Sequence, residues 1–422
     1  MQIKKYIPQT TVQRIIFSIF IYVVGGFLYN ATTTTIGNTI QLIAALYFFK
    51  QVVYSRKVLD ITNIPKFFYA FLFSWLVILC VRMFFYDENN LADLNLQKAL
   101  IDFFCGYRVF PVFMIFIPLI VTKANISMRY FVKISILLTI VFLFVYPFAF
   151  WKMTTFQFSL NSAAEEGGYQ DFISHASLGI GTLCPAFILL FWKRYLSKKT
   201  WYLFLVATIA NLLIVMFMAR RGSIVLTLLN FILLWMLYTI HNNKISKIRM
   251  FLLAILIAFC TFAIFSSLSN SFFSLLIERG DSDTRSGVAN AFLKDFTGIE
   301  NWLYGRGLLG TYYDRIFGAQ RYSIETGYMF ILLRGGLLYL IPYVMLLFFS
   351  SIRGYYKSKN IFVKSIAIIQ FVSIIELYPW GYPLFNFKFF IIWLGVYVCN
   401  SRYYLNMTDD DVQNKIFGTL KK

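Results

Sequence analysis

The chain has 422 residues, of which 59% are hydrophobic, 20% aromatic and only 14% charged, with a mean hydropathy of +0.67. That balance excludes a soluble globular protein. Apolar runs of roughly 18–22 residues point to membrane-spanning helices rather than to the alternating ten-residue strands of a barrel. The net charge of +20 would suggest nucleic acid in a soluble protein. Here the basic residues fall in short connections on alternate sides of the apolar runs, where they report topology, so no nucleic-acid partner is expected.

Twelve spans are predicted, at about residues 12–29, 36–54, 67–86, 101–121, 130–149, 172–192, 201–219, 223–240, 249–269, 328–350, 361–378 and 384–400. The chain therefore reads as an all-α polytopic membrane protein with the lipid bilayer as its first partner, a single integral membrane domain over 1–422. The amino end carries Lys4-Lys5 and then a long apolar segment, so no cleavable signal peptide is expected. Placing that end in the cytoplasm puts Arg56-Lys57, Lys193-Arg194, Lys198-Lys199, Lys244, Arg353 and Lys357 inside, with Asp87-Glu88 and Glu165-Glu166 outside. Both termini are then cytoplasmic. Residues 401–422, with Asp409-Asp410-Asp411, read as a disordered cytoplasmic tail. No internal repeat is visible, which weakens a transporter reading.

Residues 270–322, between the ninth and tenth spans, form the only long polar interval and are predicted to be a large extracytoplasmic loop. Five of its six basic residues are arginine (Arg279, Arg285, Arg306, Arg315 and Arg321, beside Lys294), although lysine outnumbers arginine elsewhere. A guanidinium fork suits carboxylate or phosphate, so the loop reads as the face that holds an anionic substrate. Six acids share the interval (Glu278, Asp281, Asp283, Asp295, Glu300 and Asp314), so surface pairing is the competing reading for each arginine. Arg285 is the preferred functional candidate. It heads a short amphipathic helix predicted over Thr284–Phe296, with Val288, Ala289 and Phe292 on its apolar side. Gly305-Arg306-Gly307-Leu308-Leu309-Gly310 matches a dinucleotide fingerprint in letters alone. It lacks the strand and βαβ unit that the fingerprint requires, and reads instead as a turn against the membrane surface whose backbone amides could face an anion.

Outside the loop, Arg220-Arg221-Gly222 sits in a tight outer turn against the charge rule, either a cationic lip for a pyrophosphate or a lipid-headgroup contact. Glu325 reads as a general base or as a helix-start acid. Arg334 lies within the tenth apolar run, where an ionisable group is a functional candidate by default. Nine residues of regular helix put Glu325 and Arg334 on opposite faces unless Gly327 or Gly335-Gly336 disturbs the helix. Arg82 and Arg108 are further charges in outer halves of spans. Glu376 and Lys388 are expected to pair across the turn from Pro379 to Pro383, and His175 is either a proton relay or structural. Five scattered cysteines and two histidines give neither a disulfide framework nor a metal site.

The Arg-Gly outer turn, the large loop with Arg285 and a Gly-x-Gly turn, and Glu325-Thr326-Gly327-Tyr328 ahead of Leu332-Leu333-Arg334-Gly335-Gly336-Leu337 together resemble the O-antigen polymerase and O-antigen ligase superfamily. The resemblance in architecture covers nearly the whole chain. The motifs cover Ala219–Ser223 and Asp283–Leu338. It implies a bacterial inner-membrane glycosyltransferase of GT-C type, independent of metal and cofactor, acting on sugars linked to undecaprenyl pyrophosphate on the periplasmic side. A chain-length regulator is a further expected partner. Arg221 matches the arginine of the family's Ser-Arg-Gly turn, with Arg220 in place of serine, and Arg285 matches the arginine opening the loop helix. The resemblance implies catalytic roles for Arg221 and Arg285, and Glu325, read above as a general base, completes the expected catalytic set. Arg220, Arg279, Arg306, Arg321, Arg334, His175 and Tyr328 form the expected substrate-binding set. Ligases carry His-Asn where this chain has Glu325-Thr326, which favours the repeat-unit polymerase branch. A ligase and a lipid-linked oligosaccharide flippase are the alternatives.

Overall fold

A computed structural model of the chain describes residues 8–31, 34–55, 63–85, 101, 103–105, 109–121, 126–155, 185–217, 221–241, 284–315, 318–321, 324, 326–378 and 383–418. It is predominantly helical. The first two apolar runs fold as α1 (Thr11–Ala31) and α2 (Thr34–Tyr54), which pack along each other. A methyl at Gly25 would come within 2.9 Å of Gln41 Cγ, so glycine permits the close approach. The third run is α3 (Asn63–Phe85).

The fourth run departs from the single helix expected over 101–121. A 3-10 helix (Phe110–Phe116) leads into the short α4 (Ile117–Ile120), and each begins with a proline in its first two positions, Pro111 and Pro118. Proline lacks the N–H that an uninterrupted helix needs, so each one starts a new segment. Next come α5 (Arg129–Thr155), the short α6 (Ala186–Leu190), α7 (Lys198–Phe217) and α8 (Arg221–His241). The expected ninth span, 249–269, and most of the sixth lie outside the described residues.

The polar interval contributes α9 (Thr284–Asp295), α10 (Ile299–Tyr304) and a hairpin of β1 (Tyr312–Asp314) and β2 (Ala319–Arg321), with Tyr312 opposite Arg321. The chain then forms α11 (Gly327–Lys357), α12 (Ile361–Glu376) and α13 (Phe387–Val398). Among the described residues, α1, α2, α3, α5, α8 and α11 are long and apolar enough to cross a membrane. The 12 residues of α13 extend only about 18 Å, short of a hydrocarbon core of about 30 Å. This helix lies inside the bundle against α12 and α11, with Phe390, Ile391 and Leu394 fully buried. Glu376 and Lys388 form the expected ion pair.

The expectation of a disordered tail is overturned. Residues 401–418 fold back as α14 (Arg402–Asn406), α15 (Asp409–Val412) and a π-helical turn (Gln413–Phe417). Thr408 and Asp411 form a capping box at α15. The Phe417 ring is buried among Trp192, Tyr195 and Phe362. Asp409, only 7% exposed, gathers four groups. Its Oδ1 accepts from the Tyr195 hydroxyl at 2.6 Å and the Ile361 N–H at 2.8 Å. Its Oδ2 lies 2.9 Å from His241 Nε2 and 3.2 Å from Arg194 Nη1. The run of three aspartates looks solvated in sequence, yet its first member is a buried, fully used acceptor.

Candidate functional site

The longest helix is interrupted where two glycines meet. Gly336 has φ 62° and ψ −161°, a region open essentially to glycine alone, and divides α11 into two helical segments. A broken helix leaves carbonyls without their intrahelical donors, which is costly in apolar surroundings. Here other parts of the chain supply the donors. The Arg306 N–H donates to Leu333 O at 2.6 Å and the Gly307 N–H to Arg334 O at 3.0 Å. The Trp75 indole N–H, from α3, donates to Gly335 O at 2.9 Å.

The Gly305–Gly310 turn therefore serves the break. A methyl on Gly305 would approach the Gly335 nitrogen to 2.5 Å, so only glycine lets the turn touch the α11 backbone. Gly307 adopts φ +88°, and its carbonyl accepts from the Gly310 N–H at 2.9 Å. This corrects the anion-cradle reading of the motif: the amides of Arg306, Gly307 and Gly310 are directed at protein carbonyls. Arg82 closes the arrangement from α3, with Nη1 donating to Tyr304 O at 3.2 Å and Nη2 to Gly305 O at 3.5 Å.

Above the turn, α9, α10 and the hairpin build a small lobe with its own core of Phe292, Phe296, Tyr312 and Ile324. Leu333 of α11 joins that core, and Val288 and Trp302 pack against it. The predicted amphipathic helix thus exists and uses Val288 and Phe292 as expected. Two arginines of the expected binding set are held by acids of the lobe itself. Arg306 Nη1 donates to Asp295 Oδ2 at 2.5 Å and to Thr311 O at 2.9 Å, while its Nη2 reaches Asp295 O at 2.7 Å. Arg321 Nη1 donates to the buried Asp314 at 2.9 Å. The pairing reading describes both, as braces of the lobe. Tyr328 is likewise engaged, its hydroxyl donating to Ile374 O at 2.8 Å and so tying α11 to α12.

Arg334 sits two residues before the break at Gly336. It is 3% exposed, and its guanidinium carbon lies 3.7 Å from the centre of the Phe330 ring. A permanent cation is therefore held in the first segment of α11, directly under the lobe. The interruption anticipated at Gly335-Gly336 follows Arg334. Arg221 is the first residue of α8 and Arg285 the second of α9; their side chains, with all of Arg220, Arg279, Glu325 and His175, lie outside the described residues. Two residues central to the break escaped the sequence reading of the site. Trp75 looks like any aromatic in an apolar run, and Arg82 like an ordinary span-end charge, because both act on backbone far along the chain. Compared with protein-family models, curated proteins and solved structures, the chain matches none.

Proposed function

We propose that the chain is a polymerase joining undecaprenyl-pyrophosphate-linked oligosaccharide units into a cell-surface polysaccharide on the outer side of a bacterial cytoplasmic membrane. The observation that carries this reading is the interrupted apolar helix with buried Arg334 beside the break, roofed by a polar lobe rich in arginine. Irregular backbone and a buried cation within a spanning helix are features of sites that handle charged groups near the bilayer.

In the proposed reaction, a sugar hydroxyl of one unit attacks the anomeric carbon of a second glycan. The new glycosidic C–O bond forms as the bond to undecaprenyl pyrophosphate breaks, and the pyrophosphate keeps the electron pair. Arg221 and Arg285 would neutralise charge developing on that leaving group, the electrostatic contribution that commonly dominates such transfers. Arg334 would add a fixed positive field from within the membrane. Glu325 or His175 would accept the hydroxyl proton. An Arg285→Ala strain should lack polymer while single lipid-linked units accumulate on the outer leaflet. Full-length polymer in that strain refutes the assignment of Arg285. In a deletion strain, units stranded on the cytoplasmic leaflet would instead mark a flippase, and intact lipid-linked polymer beside undecorated acceptor would mark a ligase.

A further inference from the structure

We infer that residues Ile299–Gly310, α10 and the turn after it, form a re-entrant element that enters the bilayer from the Arg82 end of α3, with Tyr304 and Ile299 against lipid. Depth comes first. Exposed Lys66 stands near one end of the spanning helix α3 and fixes one boundary, because its ammonium stays at the headgroups. From Lys66 to Leu79 is about 20 Å of helix, and to Arg82 about 24 Å. Leu79 Cδ1 would touch a methyl placed on Gly335, so the break in α11 lies at the Leu79 level. The Arg82 guanidinium binds the Tyr304 and Gly305 carbonyls, and the Tyr304 ring centre is 5.9 Å from that of Trp75. A hydrocarbon core of about 30 Å reaches beyond all of these groups, and any tilt of α3 places them deeper.

Backbone satisfaction is the condition that such a placement must meet, and the stretch meets it at the break. Irregular backbone survives at membrane depth only where its polar groups are paired within the protein. In this stretch the Gly305 N–H donates to Asn301 O at 2.9 Å, and the Arg306, Gly307 and Gly310 amides have the acceptors described above. The Tyr304 and Gly305 carbonyls accept from Arg82. Three side chains of this stretch are open, and two of them are apolar: Ile299 is 75% and Tyr304 44% exposed. The intervening Glu300 is also exposed, and its carboxylate reaches the headgroup layer, as on an interfacial helix. Water would leave this apolar surface uncovered; lipid covers it.

The test uses full-length protein in nanodiscs of phosphatidylethanolamine and phosphatidylglycerol. Nitroxide labels are placed by Ile299→Cys and Tyr304→Cys. Val81→Cys provides a lipid reference and Gln320→Cys, on the exposed hairpin, an aqueous one. Signals are corrected with the unsubstituted chain labelled in parallel. The ratio of collisions with molecular oxygen to collisions with a water-soluble nickel chelate should be several-fold higher at Ile299 and Tyr304 than at Gln320, approaching that at Val81. A ratio at either position matching Gln320 overturns the inference. Should Tyr304→Cys fail to fold, since its ring packs near Trp75, the widely exposed Ile299 position decides alone. Neither result depends on polysaccharide synthesis, so the proposed activity and this placement stand or fall separately.

Discussion

Replacing Asp409 by alanine removes one carboxylate and disturbs three distant parts of the chain. The Tyr195 hydroxyl and the Ile361 N–H lose their acceptor inside the protein, at about 1–3 kcal/mol each. His241 loses its 2.9 Å partner. Arg194 is two-fifths exposed and can turn to water, so its share is discounted to about 0–1 kcal/mol. The total, about 3–5 kcal/mol, is that expected when one member of a buried charged cluster is deleted. Hydrogen exchange of full-length protein in detergent, read by mass spectrometry over residues 402–417, reports this directly. At about 1.4 kcal/mol per factor of ten, exchange in Asp409→Ala should quicken by about 10²-fold to several thousand-fold. Asp409→Asn, which retains an oxygen for Tyr195 and Ile361, should fall between. Asp410→Ala is the control, because that side chain is 88% exposed and lies 3.7 Å from Arg194. Equal exchange in Asp409→Ala and Asp410→Ala would refute the reasoning.

The same segment should respond to acid. Burial pushes the Asp409 carboxyl up, but hydrogen bonds from Tyr195 and the Ile361 amide, with the charge of Arg194 and the His241 bond, outweigh it and leave the carboxyl below its ordinary value. Hydrogen bonds from Lys415 and Thr408 hold Asp411 down at about 2. A depressed carboxylate contributes stability that is complete above its unfolded value, about 3.9, and is lost as pH falls through the folded one. Protection of 402–417 should therefore be constant above about pH 5 and decline below about pH 4; a decline centred near neutrality would contradict this. Gly336→Ala should lower the unfolding temperature sharply, since it adds about 1–3 kcal/mol of backbone strain to a collision with the Leu303 carbonyl. Gly307→Ala, where nothing lies within 4 Å, should carry the strain alone; equal shifts would remove the packing argument. Glu376→Gln leaves the partly buried Lys388 without its counter-charge and should destabilise by about 1–3 kcal/mol. Glu376→Gln with Lys388→Met should recover most of that loss in thermal unfolding.

Hydropathy alone located α1, α2, α3, α8 and the start of α11 within a few residues, because apolar length is a local property. The kinked fourth run was misread although Pro111 and Pro118 were in plain view; hydropathy does not register a missing N–H. At the candidate site, the loop helix and the glycine turn were legible from spacing and residue type. What the turn binds was not, since the carbonyls of Leu333 and Arg334 become acceptors only once Gly336 interrupts α11. Equal numbers of acids and bases in the lobe suggested pairing, but the choice of Asp295 for Arg306 and Asp314 for Arg321 depends on the hairpin register. Asp409 was misassigned for a related reason: composition describes the aspartate run, and only the tertiary fold brings Tyr195 and Ile361 to it.

Asp409 meets partners 48, 168 and 214 positions away. Loop closure over such separations is entropically unfavourable until many intervening contacts exist, and contacts of this kind slow folding. The cluster must therefore form late, after the helices that flank Tyr195 and those that end at His241 and begin at Ile361 are in place. Until then those helix ends are joined only by lipid and by their immediate neighbours, and a newly made chain is most vulnerable to proteolysis there.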